Sequence, residues 1–414
     1  GLTLDSLFDP LPEVFLVSKS FRREVYFIQT RSGNFYLKFS PLQKKKDRRR
    51  FLLLPWRIKT EWRNLERLRQ RAVRAPQRVL FGYKGKLPCR GFFIVTREVE
   101  GSQIDWRQPE QLFNLAEFLA RIHSKGVYHR DLHPGNIYIG RDGRPILLDT
   151  QEVYLLPWLP RWLKVRNLGQ FWRQIRPGLA DEEVLEAFLK AYNAEQKPPV
   201  SAREVLKTAD RSLERYYRSR SRRCVKNSTE FQVVKFEGGI RGFRRRGFEW
   251  GKDELQAALA HGSPLKDNKM LAWQGLCVKL HERRFFHTDR CLAAWKMARA
   301  LAVRGIAVPE ARAYYMLGRK SFFLADYYAD GEHLNAYLSK AREPAEKREV
   351  LRRLAEWVRA CHDLNIWQRD FKSSNVLVYE GQYMMLDLDS VRICRRLSWK
   401  RKMINLAQLN ASVS

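Results

Sequence analysis

The chain repeats itself, and the repeat leaves few folds open. Arg130-Asp131-Leu132-His133-Pro134-Gly135-Asn136 is followed by Ile146-Leu147-Leu148-Asp149, and Arg369-Asp370-Phe371-Lys372-Ser373-Ser374-Asn375 by Met384-Met385-Leu386-Asp387. The Asp and the Asn recur after 239 residues (131 to 370, 136 to 375), and the later Asp after 238 (149 to 387). Lys38 and Lys279 (241 apart), Trp62 and Trp295 (233) and Gly101 and Gly331 (230) keep a similar shift in the same order. Matching residue types in matching order at near-constant spacing mark two copies of one architecture. A chain of 414 residues suits two domains of about 200 each. The division is expected at 1–217 and 218–414, close to where the strand pattern restarts.

The chemistry at the repeated positions narrows the reading. An Asp, an Asn five residues on and a later Asp closing a short apolar run form the catalytic-loop and metal-loop pattern of kinase-like phosphotransferases. In that pattern Asp131 and Asp370 would accept the proton of an acceptor hydroxyl. Asn136, Asp149, Asn375 and Asp387 would hold Mg2+ against the phosphates of ATP, because hard cations take oxygen ligands. His129 reads as a structural anchor of the loop, since Asp131 already fills the base position. Arg130 reads equally as a loop anchor or an anion contact.

Upstream, residues 13–39 read as three antiparallel strands turned at Ser32-Gly33-Asn34. Lys38 lies inside the third, where a buried ammonium needs a partner; the alternative is a lysine pointing to solvent. Residues 60–74 read as a helix. At 100° per residue, Glu61 falls within about 40° of Leu65 and Leu68, and Glu66 is rotated about 140° from it. Glu61 is therefore the inward acid and the natural partner of Lys38, while Glu66 reads as a solvated charge. Residues 91–96 read as a further strand, and 97–101 as a hinge. Leu112, Leu115, Leu119 and Ile122 have the spacing of a core-facing helix over 110–125. Residues 154–178 interleave Tyr154, Trp158, Trp162 and Trp172 with Arg161, Lys164, Arg166, Arg173 and Arg176. They fit a headgroup boundary or a helical core equally well. Helices are expected at 181–193 and 201–217.

The second copy departs from the first. Phe231–Val234 and Gly242–Arg246 read as an added hairpin before strands at 264–266, 270–273 and 276–280; helices are expected at 289–303 and 346–362. With Trp62 and Trp295 in register, Ala294 stands where Glu61 stands, so Lys279 lacks the expected acid. Gln368 replaces His129 and Lys372 replaces His133. Neither copy has a G-x-G-x-x-G loop; residues 19–24 and 267–269 are positioned to cover phosphates instead. The first copy reads as an intact site. The second is either another enzyme that orients Lys279 differently or a degenerate partner, and it ends before a pair of helices like those after position 180.

Charge bears on partners. With 78 Lys+Arg against 45 Asp+Glu the chain carries +33, which favours a polyanion: a phosphorylated glycan, an anionic membrane surface, an acidic protein or nucleic acid. Basic runs at 44–50, 215–223, 241–246 and 392–402 supply it. The six cysteines form no C-x-x-C pair, so buried free thiols are expected rather than a metal site. No apolar run approaches the ~18–20 residues of a bilayer span, and residues 1–20 do not form a signal peptide. A cytoplasmic chain, peripheral to a membrane, is the expectation.

The residues resemble the lipopolysaccharide core kinases of Gram-negative bacteria, the heptose and Kdo kinases. In the first copy the likeness rests on Gly126–Asn136 with Glu61-Trp62-Arg63-Asn64-Leu65. In the second it rests on Arg222–Lys226, Phe231, Leu301–Pro309 and Arg369–Asn375. The resemblance implies an α+β chain of two tandem protein-kinase-like bilobal domains, each a small antiparallel sheet followed by a mostly helical lobe. It implies transfer of the ATP γ-phosphate to a hydroxyl of an inner-core sugar, heptose or Kdo, at the cytoplasmic face of the inner membrane. Lys38, Glu61 and Lys279 would then position the nucleotide. The core glycolipid and the anionic inner-membrane surface would be partners, and nucleic acid is disfavoured. The competing readings are a kinase acting on a protein or a soluble small molecule, and a non-catalytic pseudokinase that serves as a scaffold or binds nucleic acid.

Overall fold

The computed structural model describes residues 13–20, 23–42, 59–84, 90–175, 182–266, 269–283, 288–341 and 343–413. The basic run 44–50 and parts of the two phosphate-covering turns, 21–22 and 267–268, lie outside them. The chain divides into two compact units, Gly1–Leu213 and Glu214–Ser414.

The first unit opens with an antiparallel sheet. Strands β1 (Glu13–Lys19), β2 (Glu24–Thr30) and β3 (Gly33–Pro41) follow one another. Arg31 and Ser32 form the two-residue turn between the last two, and Gly33 leaves it at φ +124°, a conformation closed to side-chain-bearing residues. With β4 (Arg78–Lys84) and β5 (Gly91–Arg97) the order is β1-β2-β3-β5-β4. Ile28, Phe35 and Val95 form its small core, and Lys38 sits opposite Ile94 on β5. Helix α1 (Thr60–Gln70) buries Glu61, Asn64, Leu65 and Leu68, one stripe at helical spacing.

After β6 (Gly101–Gln103), helix α2 (Pro109–Ser124) buries Leu112, Leu115, Leu119 and Ile122. They share a core with α3 (Arg161–Ile175), α4 (Glu182–Asn193) and the start of α5 (Ala202–Ser221), through Phe171, Phe188, Tyr192 and Val205. Truncating Leu119, fully enclosed, to alanine would cost about 2–5 kcal/mol. Between α2 and α3 run four short strands: β7 (Val127–His129), β8 (Ile137–Gly140), β9 (Pro145–Leu147) and β10 (Val153–Leu155). β7 pairs with β10, and β6, β8 and β9 form one sheet.

The second unit follows the same plan with a larger sheet. Strands β11 (Phe231–Lys235) and β12 (Arg241–Arg245) form the added hairpin, and α6 (Lys252–His261) follows. The sheet is completed by β13 (Ser263–Lys266), β14 (Met270–Trp273), β15 (Leu276–Glu282), β16 (Ala311–Leu317) and β17 (Lys320–Asp326), in the order β11-β12-β16-β17-β15-β14-β13. The hairpin docks on β16 where Gly242 faces Tyr315; a Cβ at Gly242 would lie 1.9 Å from the Tyr314 carbonyl oxygen. Helix α7 (Arg290–Ala302) begins at Asp289, whose Oδ1 accepts from the Leu292 amide at 3.0 Å. After β18 (Glu332–His333) come α8 (Leu334–Lys340), α9 (Pro344–Asp363), β19 (Ile366–Gln368), β20 (Val376–Tyr379), β21 (Gln382–Met385), β22 (Val391–Ile393) and α10 (Trp399–Val413). The pairings β18-β20-β21 and β19-β22 reproduce the short sheets of the first unit.

The aromatic-basic segment 154–178 splits between its two readings. Trp172 is buried in the core, while Tyr154, Trp158 and Trp162 are exposed, the two tryptophans by 69% and 63%. Glu66 stays solvent-accessible, and it is also paired: Arg78, which β4 brings over α1, and Arg69 reach its carboxylate at 2.9 and 2.8 Å.

Candidate active site

The loop between β7 and β8 carries Asp131 and Asn136, and its shape is set by buried polar groups. His129 is fully enclosed. Its Nε2 lies 3.2 Å from the Leu148 carbonyl and must donate to it; its Nδ1 accepts from the Asp131 amide at 3.2 Å. Only the neutral ring does both, and burial holds its pKa below the ordinary 6.5. The Asn136 Nδ2 donates to the Asp131 carbonyl at 2.9 Å, and the Asn136 carbonyl accepts from the Leu148 amide at 2.8 Å. The loop is thus tied to the segment that ends in Asp149, while Asp131 itself is exposed.

The second unit builds the same loop with other side chains. Gln368 Nε2 donates to the Leu386 carbonyl at 3.0 Å, as His129 does to Leu148. Asn375 Nδ2 donates to the Asp370 carbonyl at 2.8 Å, and the Leu386 amide donates to the Asn375 carbonyl at 2.9 Å. Lys372 pairs with the Asp370 carboxylate at 2.8 Å. Asp149 and Asp387 share a left-handed backbone, φ +43° and +47°, which Asp tolerates better than most residues.

The two lysines are held differently. Lys38 Nζ donates to Glu61 Oε1 at 2.6 Å, and the Glu61 side chain is only 5% exposed. Arg23 lies 3.6 Å from both Glu61 and Asp149, and also donates to Gln151. Lys279 instead pairs with Asp387 at 3.0 Å and with Asp389, whose other oxygen meets Arg290 at 2.5 Å. The expected lack of an acid at Lys279 is therefore filled from outside the helix. Burial opposes a charged Lys279, but Asp389 and Asp387 outweigh it and raise its pKa. Burial also works against an ionised Asp387; the Ser390 hydroxyl at 2.6 Å and Lys279 hold it at about 2 nonetheless.

Among groups the sequence reading passed over, Asn167 and Gln170 on α3 stand out. Asn167 Nδ2 donates to the His129 carbonyl at 2.6 Å and Gln170 Nε2 to the Arg130 carbonyl at 3.1 Å. On α10, Asn405 and Gln408 do the same to Gln368 (2.6 Å) and Arg369 (3.0 Å). Their shared N-x-x-Q spacing, repeated after 238 residues (167 to 405, 170 to 408), is the signal that finds them. Asn64 Nδ2 bonds the carbonyls of Thr150 and Val153 at 2.7 and 2.8 Å, tying α1 to the segment after Asp149.

For a divalent cation the donor set of the first unit fits. Asp149 Oδ1 is buried without a hydrogen-bond donor, and the Asn136 amide nitrogen is engaged, leaving its oxygen as a ligand of the kind Mg2+ takes. Among the described residues no group of three or more His, Cys, Asp and Glu could hold a metal ion, so a cation here would rest on Asp149 and the Asn136 amide oxygen. A cleft of about 1220 Å³ in the second unit is lined by Lys279, Asp387 and Asp389. One of about 1180 Å³ in the first, beside Asn34, Arg74 and Glu98, holds none of the residues singled out above as site residues.

Comparison with known proteins adds the following. A serine/threonine-protein kinase PknA from Nostoc sp. (strain PCC 7120 / SAG 25.82 / UTEX 2576) is 32% identical over 94 residues, 18% of this chain and 17% of that protein. The chain thus spans about a sixth of that relative's length. Among solved structures, WaaP in complex with acyl carrier protein aligns at 18% identity and a TM-score of 0.37, over 52% of this chain and 90% of that one. An aminoglycoside-3'-phosphotransferase of type VIII aligns at 15% identity and 0.34, over 48% and 92%. An aminoglycoside phosphotransferase from Alicyclobacillus acidocaldarius subsp. acidocaldarius DSM 446 aligns at 12% and 0.37, over 53% and 84%. The lipopolysaccharide kinase (Kdo/WaaP) family matches residues 14–192 and 272–414, taking in both copies of the catalytic pattern, and the chain belongs to that family.

Proposed function

We propose that this chain transfers the γ-phosphate of ATP to a hydroxyl of an inner-core sugar of lipopolysaccharide, heptose or Kdo, at the cytoplasmic face of the inner membrane. The observation that carries the reading is the first unit's constellation: a strand lysine on a buried helix glutamate, an exposed Asp131 on an anchored loop, and Asp149 with an oxygen that accepts no hydrogen bond. Asp131 accepts the proton of the attacking hydroxyl. Lys38, held and aimed by Glu61, orients the nucleotide phosphates. Asn136 and Asp149 are the residues that would hold Mg2+, which when bound neutralises charge on the phosphates. Asn167, Gln170 and His129 keep the loop from moving while the acceptor docks, since positioning carries most of the catalysis of phosphoryl transfer.

An acceptor bearing acidic sugars and lipid phosphates is drawn to a +33 chain, and an acidic protein partner is compatible with the same charge. No described helix is long and apolar enough to cross a membrane. Exposed Trp158 and Trp162, and Trp399 at the start of α10 (73% exposed), support peripheral contact with an anionic surface. The test is incorporation of labelled γ-phosphate into purified core glycolipid set against mixed protein and small-molecule acceptors. Label in the glycolipid supports the reading, and label confined to protein or to soluble acceptors sinks it.

A further inference from the structure

The second unit has lost the helix glutamate without losing what the glutamate does. Ala294, buried, occupies the place on α7 that Glu61 occupies on α1. The partner of Lys279 comes from Asp389, two residues beyond Asp387, where the first unit has Gln151. The Asp389 side chain is 4% exposed, against 5% for Glu61. Each carboxylate also faces a guanidinium with its other oxygen: Arg23 at 3.6 Å from Glu61, Arg290 at 2.5 Å from Asp389. The charge pattern is the same, one buried carboxylate between a strand lysine and an arginine, but it is reached from a different element. Without it Lys279 would face burial with only the metal-site Asp387 as counter-ion. With it Lys279 can leave Asp387 and remain paired.

The cleft around this group points to a polyphosphate ligand. Its volume of about 1220 Å³ exceeds what a nucleotide-sized ligand needs. Lys269, Arg283, Arg290, Arg319, Arg369 and Arg392 line it, against three carboxylates, Glu282, Asp387 and Asp389. Asp370 is exposed on a loop held as the Asp131 loop is held.

We infer that the second unit is itself a MgATP-dependent phosphotransferase in which Asp389 is the positioning residue for Lys279, in place of a helix glutamate. This rests on the role given above to Lys38 and Glu61. Asp370 accepts the proton of an acceptor hydroxyl, the new oxygen–phosphorus bond forms at the γ-phosphorus, and the bond to the β-phosphate bridging oxygen breaks. ADP leaves with that electron pair. The protein then has two transfer sites, each able to act on its own hydroxyl.

Calorimetric titration of the full chain with Mg2+ and a non-hydrolysable ATP analogue tests the binding half without any acceptor. Two sites per chain are expected. Asp389→Asn should weaken one of them by about tenfold to hundredfold, the worth of a charge-assisted contact, and adding Ala294→Glu should restore it by returning the carboxylate to the helix. The Asp131→Asn chain, given ATP and core glycolipid, should still transfer phosphate, with that transfer abolished by Asp370→Asn and lowered by Asp389→Asn. One nucleotide site per chain, a second site indifferent to Asp389→Asn, or failure of Ala294→Glu to restore it overturns the inference. So does an Asp131→Asn chain that transfers nothing while the unsubstituted chain is active. If the unsubstituted chain labels no glycolipid, it is the acceptor reading that fails, and the titration still decides the role of Asp389.

Discussion

In the first unit Lys38 meets a carboxylate that descends from helix α1; in the second, Lys279 meets one that rises from the segment following Asp387. The loops next to them are alike to within a few tenths of an ångström in their defining hydrogen bonds, although His129 has become Gln368 and His133 has become Lys372. What is kept between the copies is the placement of charge and of donors, and the residue type and its address in the chain are free to change. A match of residues at fixed positions would score the second copy as damaged. By charge, the second copy keeps a buried carboxylate between a strand lysine and an arginine.

The comparison can be broken first at the bases. Asp131→Ala should lower transfer by the first unit about 10²–10⁴-fold with melting temperature unchanged, because the fold uses only the backbone of this exposed residue; mass spectrometry of the core oligosaccharide reads the missing phosphate. Next come the lysine partners. Glu61→Ala leaves Lys38 and Arg23 without their shared anion and should cost about 1–3 kcal/mol of stability, discounted because the Lys38 side chain is 22% exposed. Asp389→Ala should cost as much in the second unit, and urea unfolding of the two variants measures both. Equal losses keep the equivalence, and a silent Asp389→Ala breaks it.

Smaller effects sharpen it. Asn167→Ala and Asn405→Ala each orphan a buried loop carbonyl and should destabilise by about 1–2 kcal/mol, with hydrogen exchange rising in the adjacent loop alone. Acidification should separate the units. Burial holds His123 at about 3 and His129 below its ordinary 6.5, so the unfolded chain binds protons that these folded groups refuse. Their contribution is full above pH 6.5 and is lost as pH falls from there towards 3. The second unit has His281 and His362, also lowered by burial but less enclosed than His123, and Gln368 opposite His129. Limited proteolysis between pH 7 and 4.5 should open the first unit earlier. Last, His129→Gln should cost under about 1.5 kcal/mol and narrow that acid difference, since Gln368 already shows an amide donating to the same carbonyl.

Much of this is readable from the residues alone. The pairing of Lys38 with Glu61 follows from helical angle, because Glu61 shares the stripe of Leu65 and Leu68. The doubling follows from spacing. Asp389 is not readable in the same way: nothing in its neighbourhood distinguishes a carboxylate that faces back to β15 from one that faces water, and only the left-handed turn at Asp387 decides it. Arg23 escapes for a similar reason, since its role depends on a strand end meeting a helix and a loop remote in sequence. The pairing of Glu66 with Arg78 is not readable either, because helical angle places a side chain relative to its own helix and is blind to β4 passing over it. Trp162 and Trp172 divide by the face of α3, and Trp158 lies in the bend before it, distinctions that composition averages away.

The address of Asp389 has a mechanical consequence. In the first unit Glu61 and Asp149 belong to a helix and to a loop, so α1 can move Glu61 off Lys38 once the Asn64 bonds to Thr150 and Val153 are given up. In the second unit both acids sit on one short span of backbone, two residues apart. They travel together, and α7 touches the pair through Arg290 on Asp389 rather than through a carboxylate of its own. One copy can lose its lysine's anion by moving a helix; the other can lose it only by moving the span that carries both acids.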